Sequence, residues 1–479
     1  MANSGKFYLP RHPEDSLFFK VIEDNFDQFE HNFPQAYQAR YGFWRPVIRN
    51  TIEKFRKCGD LRQGFARVRC KDCGDEMFVA YSCKQRSCCP SCDKKRAILL
   101  GLRLTTEVIE AVPHRQWVFT IPKRLRIFFR MDRSLLGKLS RCAYDTVCEI
   151  MHYEVGGDAF SAPDGGEVLP GMFAAIQTFG DLLNWHSHIH AIVTEGGYTE
   201  NGCFVRIPYV NKKSALAIWE DHVLDMMQRE KKIGLEAVAQ IRSQKYSGFS
   251  IDNSVRIEAK DDEGIHRLAS YIARCPLSLA RMIGVGNDGS VVYRAGKADC
   301  IPYPTMGDEM LQKGIPRNFQ TFKPLDFLAE VTQHIPNKGE HQIRFYGWYS
   351  NKGRGQRKKS EHDKAVIQQA VEVKTEKKFR THWAALIRLI YEVDPLKCQK
   401  CGGEMKIVAF IEQESTVRDI LQHSGLWREQ KKRPLPKAMS PPPELVRNPK
   451  PEEYGDYSCS EFTESIPDYS VCEVPTWSE

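Results

Sequence analysis

Three kinds of residue in this chain have the type and spacing to do chemistry: alternating histidines, paired cysteines, and a tyrosine between arginines. The histidines lie in Trp185-His186-Ser187-His188-Ile189-His190-Ala191-Ile192-Val193, whose β-branched and aromatic neighbours predict a strand. Alternate side chains on one strand face lie about 6.5–7 Å apart, near enough for two imidazoles to hold one ion, whereas positions four apart are separated by about 13 Å. The spacing favours a pair, His188 and His190, completed by a ligand from another segment. Neutral imidazoles suit Mn²⁺, Zn²⁺ or, with oxygen ligands added, Mg²⁺. Polar residues on a solvated strand face would carry the same pattern.

The cysteines read as Zn²⁺ ligands. Cys70-Lys71-Asp72-Cys73 and, after fifteen intervening residues, Cys89-Pro90-Ser91-Cys92 fit a zinc ribbon. Four thiolates at that spacing close a tetrahedral site, and a segment so poor in core-forming residues takes folding energy from its metal. Cys58, Cys83 and Cys88 are additional: one can replace a favoured ligand, or Cys58 and Cys83 can serve a second ion. Cys398-Gln399-Lys400-Cys401-Gly402-Gly403 is half a zinc site, with glycines that permit a tight turn and no second pair at the usual spacing. The arginines and lysines around the first ribbon suggest phosphate contact.

The tyrosine is Tyr271. Asp261-Asp262 is expected to cap a helix running to Arg274, where Cys275-Pro276 ends it. Ile265, Leu268, Ala269 and Ile272 form its apolar stripe. Tyr271 falls at the stripe's edge, with Arg267 at i−4 and Arg274 at i+3 on the same side. Arginine forks bind phosphate oxygens and favour the phenolate, which a tyrosine attacking a phosphodiester needs. A tyrosine packed under its helix beside two solvated arginines is the competing reading.

These residues must be held by elements that the pattern outlines. Helices are expected over 15–29 and 43–57, a buried strand over 116–122, and a long helix over 133–155. Strands over 172–179, 186–194 and 203–209 follow as a meander. A hairpin with its loop centred on Leu182-Leu183 sets Gln177 opposite His188 on the same face, making Gln177 the candidate outside ligand, with Asp181 and His186 as alternatives. A helix over 215–231 and strand-like alternation over 248–259 come next. Beyond Arg294 short strands and loops alternate. Residues 352–359 and 374–380 are basic, as in a linker or a DNA-tracking arm, and 382–391 is helical.

The totals fit a globular protein with a polyanionic partner. The net charge of +8 conceals an asymmetry, because residues 451–479 carry eight acidic side chains and no Lys or Arg. The first 450 residues therefore stand at about +16. Sixteen cysteines without an apolar leader in residues 1–13 point to a reducing compartment and to metal ligation rather than bridges. No run approaches the roughly 18 apolar residues that span a bilayer, so no membrane partner is expected. The chain beyond Trp427, with its triple proline and acidic end, reads as a disordered tail.

In their order along the chain, these motifs resemble the rolling-circle transposases of the insertion-sequence ninety-one family, which are HUH single-strand nucleases. The resemblance covers roughly residues 45–430. Cys70, Cys73, Ser82-Cys83-Lys84 and Cys89-Pro90-Ser91-Cys92 look like the family's zinc domain, and Gln177-Thr178-Phe179-Gly180-Asp181 with His186 to His190 like its HUH core. Residues 268–282 are similar to its tyrosine helix. Residues 383–427, with Tyr391-Glu392-Val393-Asp394-Pro395-Leu396 and the late C-x-x-C, look like its C-terminal segment. Cys275 stands four residues after Tyr271, where some members have a second tyrosine, so the chain resembles the single-tyrosine branch.

The resemblance implies an α+β fold, with an antiparallel-sheet HUH nuclease domain preceded by a helical zinc-ribbon domain and followed by a small C-terminal region. The expected divisions are an N-terminal segment 1–19, the zinc-ribbon DNA-binding domain 20–112, the nuclease domain 113–345, the linker and Cys-x-x-Cys segment 346–428, and the acidic tail 429–479. It further implies Mg²⁺ or Mn²⁺ on His188, His190 and Gln177, Zn²⁺ on Cys70, Cys73, Cys89 and Cys92, and Tyr271 as nucleophile forming a 5′-phosphotyrosine. Arg267 and Arg274 would contact phosphate. The partner would be single-stranded DNA at element ends and target, in a bacterial cytoplasm at the nucleoid, with oligomeric state open. Three other readings stand beside it: an HUH replication initiator or relaxase, although no G-x-x-x-x-G-K-[ST] loop is present; a histidine-triad nucleotide hydrolase, weakened by Ser187; and a non-catalytic zinc-dependent DNA-binding regulator.

Overall fold

The structure, a computed structural model of the chain, describes residues 13–154, 168–199, 201–207, 210–286, 288–296, 318–366 and 396–427. The fold is α+β, and its sheets are antiparallel. The strand carrying the histidines, Trp185–Tyr198, is the middle of the larger sheet. Leu169–Phe179 pairs along one edge of it and His114–Thr120 along the other, with Ile343–Gly347 and Ser250–Asp252 outside them. Phe204–Arg206 pairs with its far end, completing the expected meander among the described residues.

A strand paired on both edges satisfies its backbone internally and can bury both faces. One face carries Ile189, Ala191 and Val193. They pack with Trp117, Phe119 and Trp219 in a core shared with the helices Ser134–Glu154 and Lys212–Arg229. The opposite face carries His188, His190 and Ile192. Over it lies the helix Asp262–Ile272, through Ile265, Ala269 and Ile272. Asp261 caps that helix as the sequence suggests, its carboxylate accepting the Gly264 N–H at 2.8 Å.

Another core joins distant parts of the chain. Phenylalanines of Leu17–Ala36, including Phe18, Phe26 and Phe29, pack with Ile52 and Phe55 of Pro46–Arg56 and with Phe327 and Leu328 of Pro324–Thr332. The packing therefore runs across the division expected at 112 and 113. The helix Pro324–Thr332 lies where short strands and loops were expected. Asp326 and Glu330 stand four apart among its apolar residues, the period of one helix face, and proline at its first turn starts the helix. The basic stretch at 352–359 is likewise part of a helix, Asn351–Val366, anchored by Arg357 stacked 3.8 Å from the Trp348 ring centre. The basic arm at 374–380, the helix expected over 382–391 and the acidic tail lie outside the described residues.

Two buried histidines tie the hairpin and the sheet. His334 donates to the Leu183 carbonyl at 2.8 Å, accepts from Thr178 at 3.0 Å and stacks on Trp185. Leu183 adopts a positive φ of 66° in the turn that this contact holds. His114 accepts the Tyr349 hydroxyl at 2.7 Å. Burial lowers His334 to about 3 and His114 to about 4. In the unfolded chain both would take a proton near 6.5, so from there down to about 3 the unfolded state binds more protons and stability falls as pH is lowered. The urea midpoint should therefore decrease steadily between pH 7 and pH 4, and a midpoint that is constant over that range would contradict this assignment.

Candidate active site

The hairpin sets Gln177 directly opposite His188, as its sequence spacing suggests. His188 and His190 bring their Nε2 atoms within 3.1 Å of each other. Two cis nitrogen ligands, each about 2.1 Å from one ion, would stand about 3 Å apart, so the pair already has the separation of a chelate. Nδ1 of His188 donates to the His186 carbonyl at 2.8 Å, which leaves its Nε2 lone pair for a ligand. Burial is the main cause that keeps both imidazoles neutral, lowering His188 to about 4 and His190 well below its ordinary value, with Arg274 adding to the effect in each case.

Gln177 is 3% exposed. Its Nε2 donates to the Ile272 carbonyl at 2.7 Å, and because a carbonyl only accepts, this bond fixes which end of the amide is oxygen. That oxygen, Oε1, is buried with no hydrogen-bond partner. An orphaned acceptor costs free energy comparable to a lost hydrogen bond. Beside two neutral imidazoles it is the donor that a small divalent cation would take, and this set fits Mn²⁺, or Mg²⁺ with water. Gln116 reaches Nδ1 of His190 at 3.2 Å. Its role was not singled out from sequence, although a buried amide in an apolar strand was the available signal.

Tyr271 comes to this face from the covering helix. Its ring meets that of His190 edge to face, with centroids 5.8 Å apart. The Arg274 guanidinium lies 4.5 Å from the Tyr271 ring centre and 5.5 Å from that of Phe179. Its Nε is buried without a partner. Arg267, in contrast, is 60% exposed and pairs with Glu263 on the helix's outer flank. Asp181 sits at the hairpin turn, where it receives Arg281 at 2.7 Å and the Gly296 N–H at 2.7 Å, so the structure engages it away from the imidazole pair. The His186 and His188 ring centroids are 4.6 Å apart. A cleft of about 250 Å³ opens beside Gln177, lined among others by Arg86, Arg96, Phe179, Arg274 and His341.

The cysteines regroup relative to the expected ribbon. Cys70, Cys73, Cys89 and Cys92 do not share a site. Cys89 and Cys92 converge with Cys58 and Cys83, while Cys70 and Cys73 converge with Cys398 and Cys401. The reason is the hairpin of Phe65–Cys70 and Glu76–Ala80. The first knuckle is its turn, whereas Cys58 and Cys83 lie past its open end, and five strand residues at about 3.3 Å each hold the two ends roughly 16 Å apart. In the first group the sulfurs of Cys58 and Cys89 are 3.8 Å apart and those of Cys83 and Cys92 3.5 Å. A tetrahedral zinc with bonds of 2.3 Å gives edges of about 3.8 Å. Cys88 is fully buried and outside the group, and burial pushes its thiol up.

This group buttresses the sheet face that carries His188 and His190. Cys92 and Asp93 lie in the first turn of Pro90–Arg103, which packs along the tyrosine helix. Asp93 accepts the Ser87 N–H at 2.7 Å and Arg96 at 2.8 Å, and it bonds the thiol of Cys275 just beyond the tyrosine helix. Gly101 meets His266 of that helix so closely that a Cβ would lie 2.7 Å from its ring.

Residues 27–121 match a family model described as "Transposase zinc-binding domain", of the IS91 type, and residues 171–358 one described as "Putative transposase". The chain is 25% identical over 390 residues to the transposase for insertion sequence element IS801 of Pseudomonas savastanoi pv. phaseolicola, covering 78% of this chain and 87% of that one. It is 22% identical over 348 residues to the putative transposase y4qJ of Sinorhizobium fredii, covering 68% and 80%. No solved structure matches the chain. Among the described residues no helix is long and apolar enough to cross a membrane.

Substitution Cys58→Ser should remove about one equivalent of zinc per chain and lower the melting temperature, whereas Cys88→Ser should keep the full complement. Elemental analysis of the purified variants checks this, and retention of all metal by Cys58→Ser would exclude the regrouping.

Proposed function

We propose that this chain, which belongs to the IS91 family of transposases, cuts and rejoins single-stranded DNA in rolling-circle transposition through a covalent bond to Tyr271. The observation that carries this reading is the placement of the Tyr271 ring against His190, whose Nε2 is 3.1 Å from that of His188, with the orphaned Gln177 oxygen on the strand alongside. A nucleophile, a cation-binding pair and an unpaired acceptor meet on one buried sheet face.

In this reading the phenol oxygen bonds to phosphorus as the bond to the departing 3′ oxygen breaks. The phenol proton is lost to water, and the departing oxygen takes one up to become a free 3′-hydroxyl. In the reverse step a 3′-hydroxyl attacks the phosphotyrosine, restoring the phosphodiester and the phenol. One phosphoester is exchanged for another, so rejoining needs no ATP. Mg²⁺ or Mn²⁺ held by His188, His190 and Gln177 would act as Lewis acid toward the phosphate oxygens.

The remaining groups position the strand. Arg274 spans the Tyr271 ring and the cleft, where its planar fork suits a phosphate oxygen pair. Arg86 and Arg96 extend the positive lining toward the first cysteine group, a direction that suits a single strand tracked by its phosphates. Gln177 joins the ion site to the tyrosine helix, because its nitrogen holds the carbonyl of the residue after Tyr271. One nucleophile per chain requires that strand exchange either reuse Tyr271 or recruit a second copy.

A labelled single-stranded oligonucleotide carrying the element end should form a covalent adduct in Mn²⁺ that is lost in EDTA and lost in Tyr271→Phe. An undiminished adduct in Tyr271→Phe would exclude the nucleophile. Gln177→Leu should raise the Mn²⁺ concentration for half-maximal adduct about tenfold or more, measured by titration at fixed oligonucleotide. An unchanged midpoint would remove Gln177 from the ligand set.

A further inference from the structure

We infer that the chain carries two zinc ions and that the second, on Cys70, Cys73, Cys398 and Cys401, is a clasp fastening residues 396–427 onto the N-terminal hairpin. Its ligands come from sequence positions more than 300 apart, and neither matched family model reaches Cys398 or Cys401. The sulfurs of Cys70 and Cys401 are 3.5 Å apart and those of Cys73 and Cys398 3.6 Å. Those separations approach the edges of a zinc tetrathiolate.

The two half-sites have the same local design. Each is Cys-x-x-Cys-Gly, and the glycines adopt φ of +72° at Gly74 and +76° at Gly402, a conformation that an L side chain resists. In the second, the N–H groups of Lys400 and Gly403 point at the sulfurs of Cys398 and Cys401, each at 3.4 Å. Such bonds favour thiolate, the form that binds metal. The backbones also join directly, the Lys71 N–H donating to the Glu404 carbonyl at 3.1 Å.

The clasp closes a real structural unit. Met405–Ile411 adds an antiparallel strand to Phe65–Cys70. Val68, Cys70, Cys398 and Met405 pack on one side, and Phe65 and Phe78 pack with Val417 and Leu421 of Glu414–His423 on the other. Each of these cores is small, which is the situation in which a structural metal supplies the missing folding free energy. The C-terminal segment is thus a part of the zinc-bearing module at the N-terminus, whatever chemistry Tyr271 performs.

The full chain loaded with ¹¹³Cd in place of zinc should show two resonances in the all-thiolate range, and elemental analysis of the native protein about two zinc ions. The double variant Cys398→Ser/Cys401→Ser should retain one, with amide exchange accelerated across 396–427 and 65–80 while the sheet bearing His188 stays protected. A single cadmium resonance, iron in place of zinc, or two zinc ions in the double variant would overturn the proposal. None of these readouts depends on DNA cleavage, so the clasp and the nuclease reading fail separately.

Discussion

A one-residue slip in strand pairing turns every side chain to the other face, so the register of the hairpin Leu169–Phe179 with Trp185–Tyr198 governs the candidate site. In the observed register Gln177 faces His188, and Ala175 faces His190. The small alanine leaves room over the second imidazole, where Tyr271 and Gln116 both make contact. Moved by one residue, the imidazoles would enter the core of Trp117, Phe119 and Trp219. That core would then hold polar rings without partners, and the cost of burying them is what fixes the register.

Several devices guard this arrangement. The turn at Leu183 is held by His334, itself clamped between Thr178 and Trp185. At the other end Glu195 is buried and receives Arg115, Arg206 and Arg256, tying the histidine strand to the strands along the edge that faces away from Leu169–Phe179. The tyrosine helix is fixed from above by Pro90–Arg103, whose first turn holds Cys92. The first cysteine group therefore bears on the position of the phenol as well as on the fold of its own segment. The packing of this cysteine group and the geometry of the face that carries His188, His190 and Tyr271 are mechanically linked.

Much of the site was legible as pattern. Alternation identified the histidine strand, the distance between apolar runs set the hairpin, and the Asp261 cap began the tyrosine helix where it is found. Local rules suffice there because strand period, turn length and capping are properties of adjacent residues. The two helices expected near the N-terminus were also recovered, with boundaries moved by up to seven residues: Leu17–Ala36 and Pro46–Arg56 in place of 15–29 and 43–57. Pro324–Thr332 was missed because it is short and its burial does not follow its polarity: Glu330 is buried beside Phe327, Leu328 and Val331, paired with Arg40 and Tyr41 of a segment about 290 residues away.

The amino-acid sequence by itself determined which side chains could bind metal, that His188, His190 and Gln177 would share a sheet face, and that Tyr271 would ride on a capped helix. It also contained the family's signature, which the matched domains bear out. Only the tertiary structure decided how the cysteines pair. Spacing names knuckles but not partners, and the hairpin of Phe65–Cys70 and Glu76–Ala80 carries the knuckle at its turn away from Cys89 while bringing it to Cys398. It likewise decided that Arg274, and not Arg267, lies over the Tyr271 ring, because the helix ends at Ile272 and the chain turns toward Phe179. Contacts between segments hundreds of residues apart are chosen by which buried surfaces fit together, and no local period records that choice.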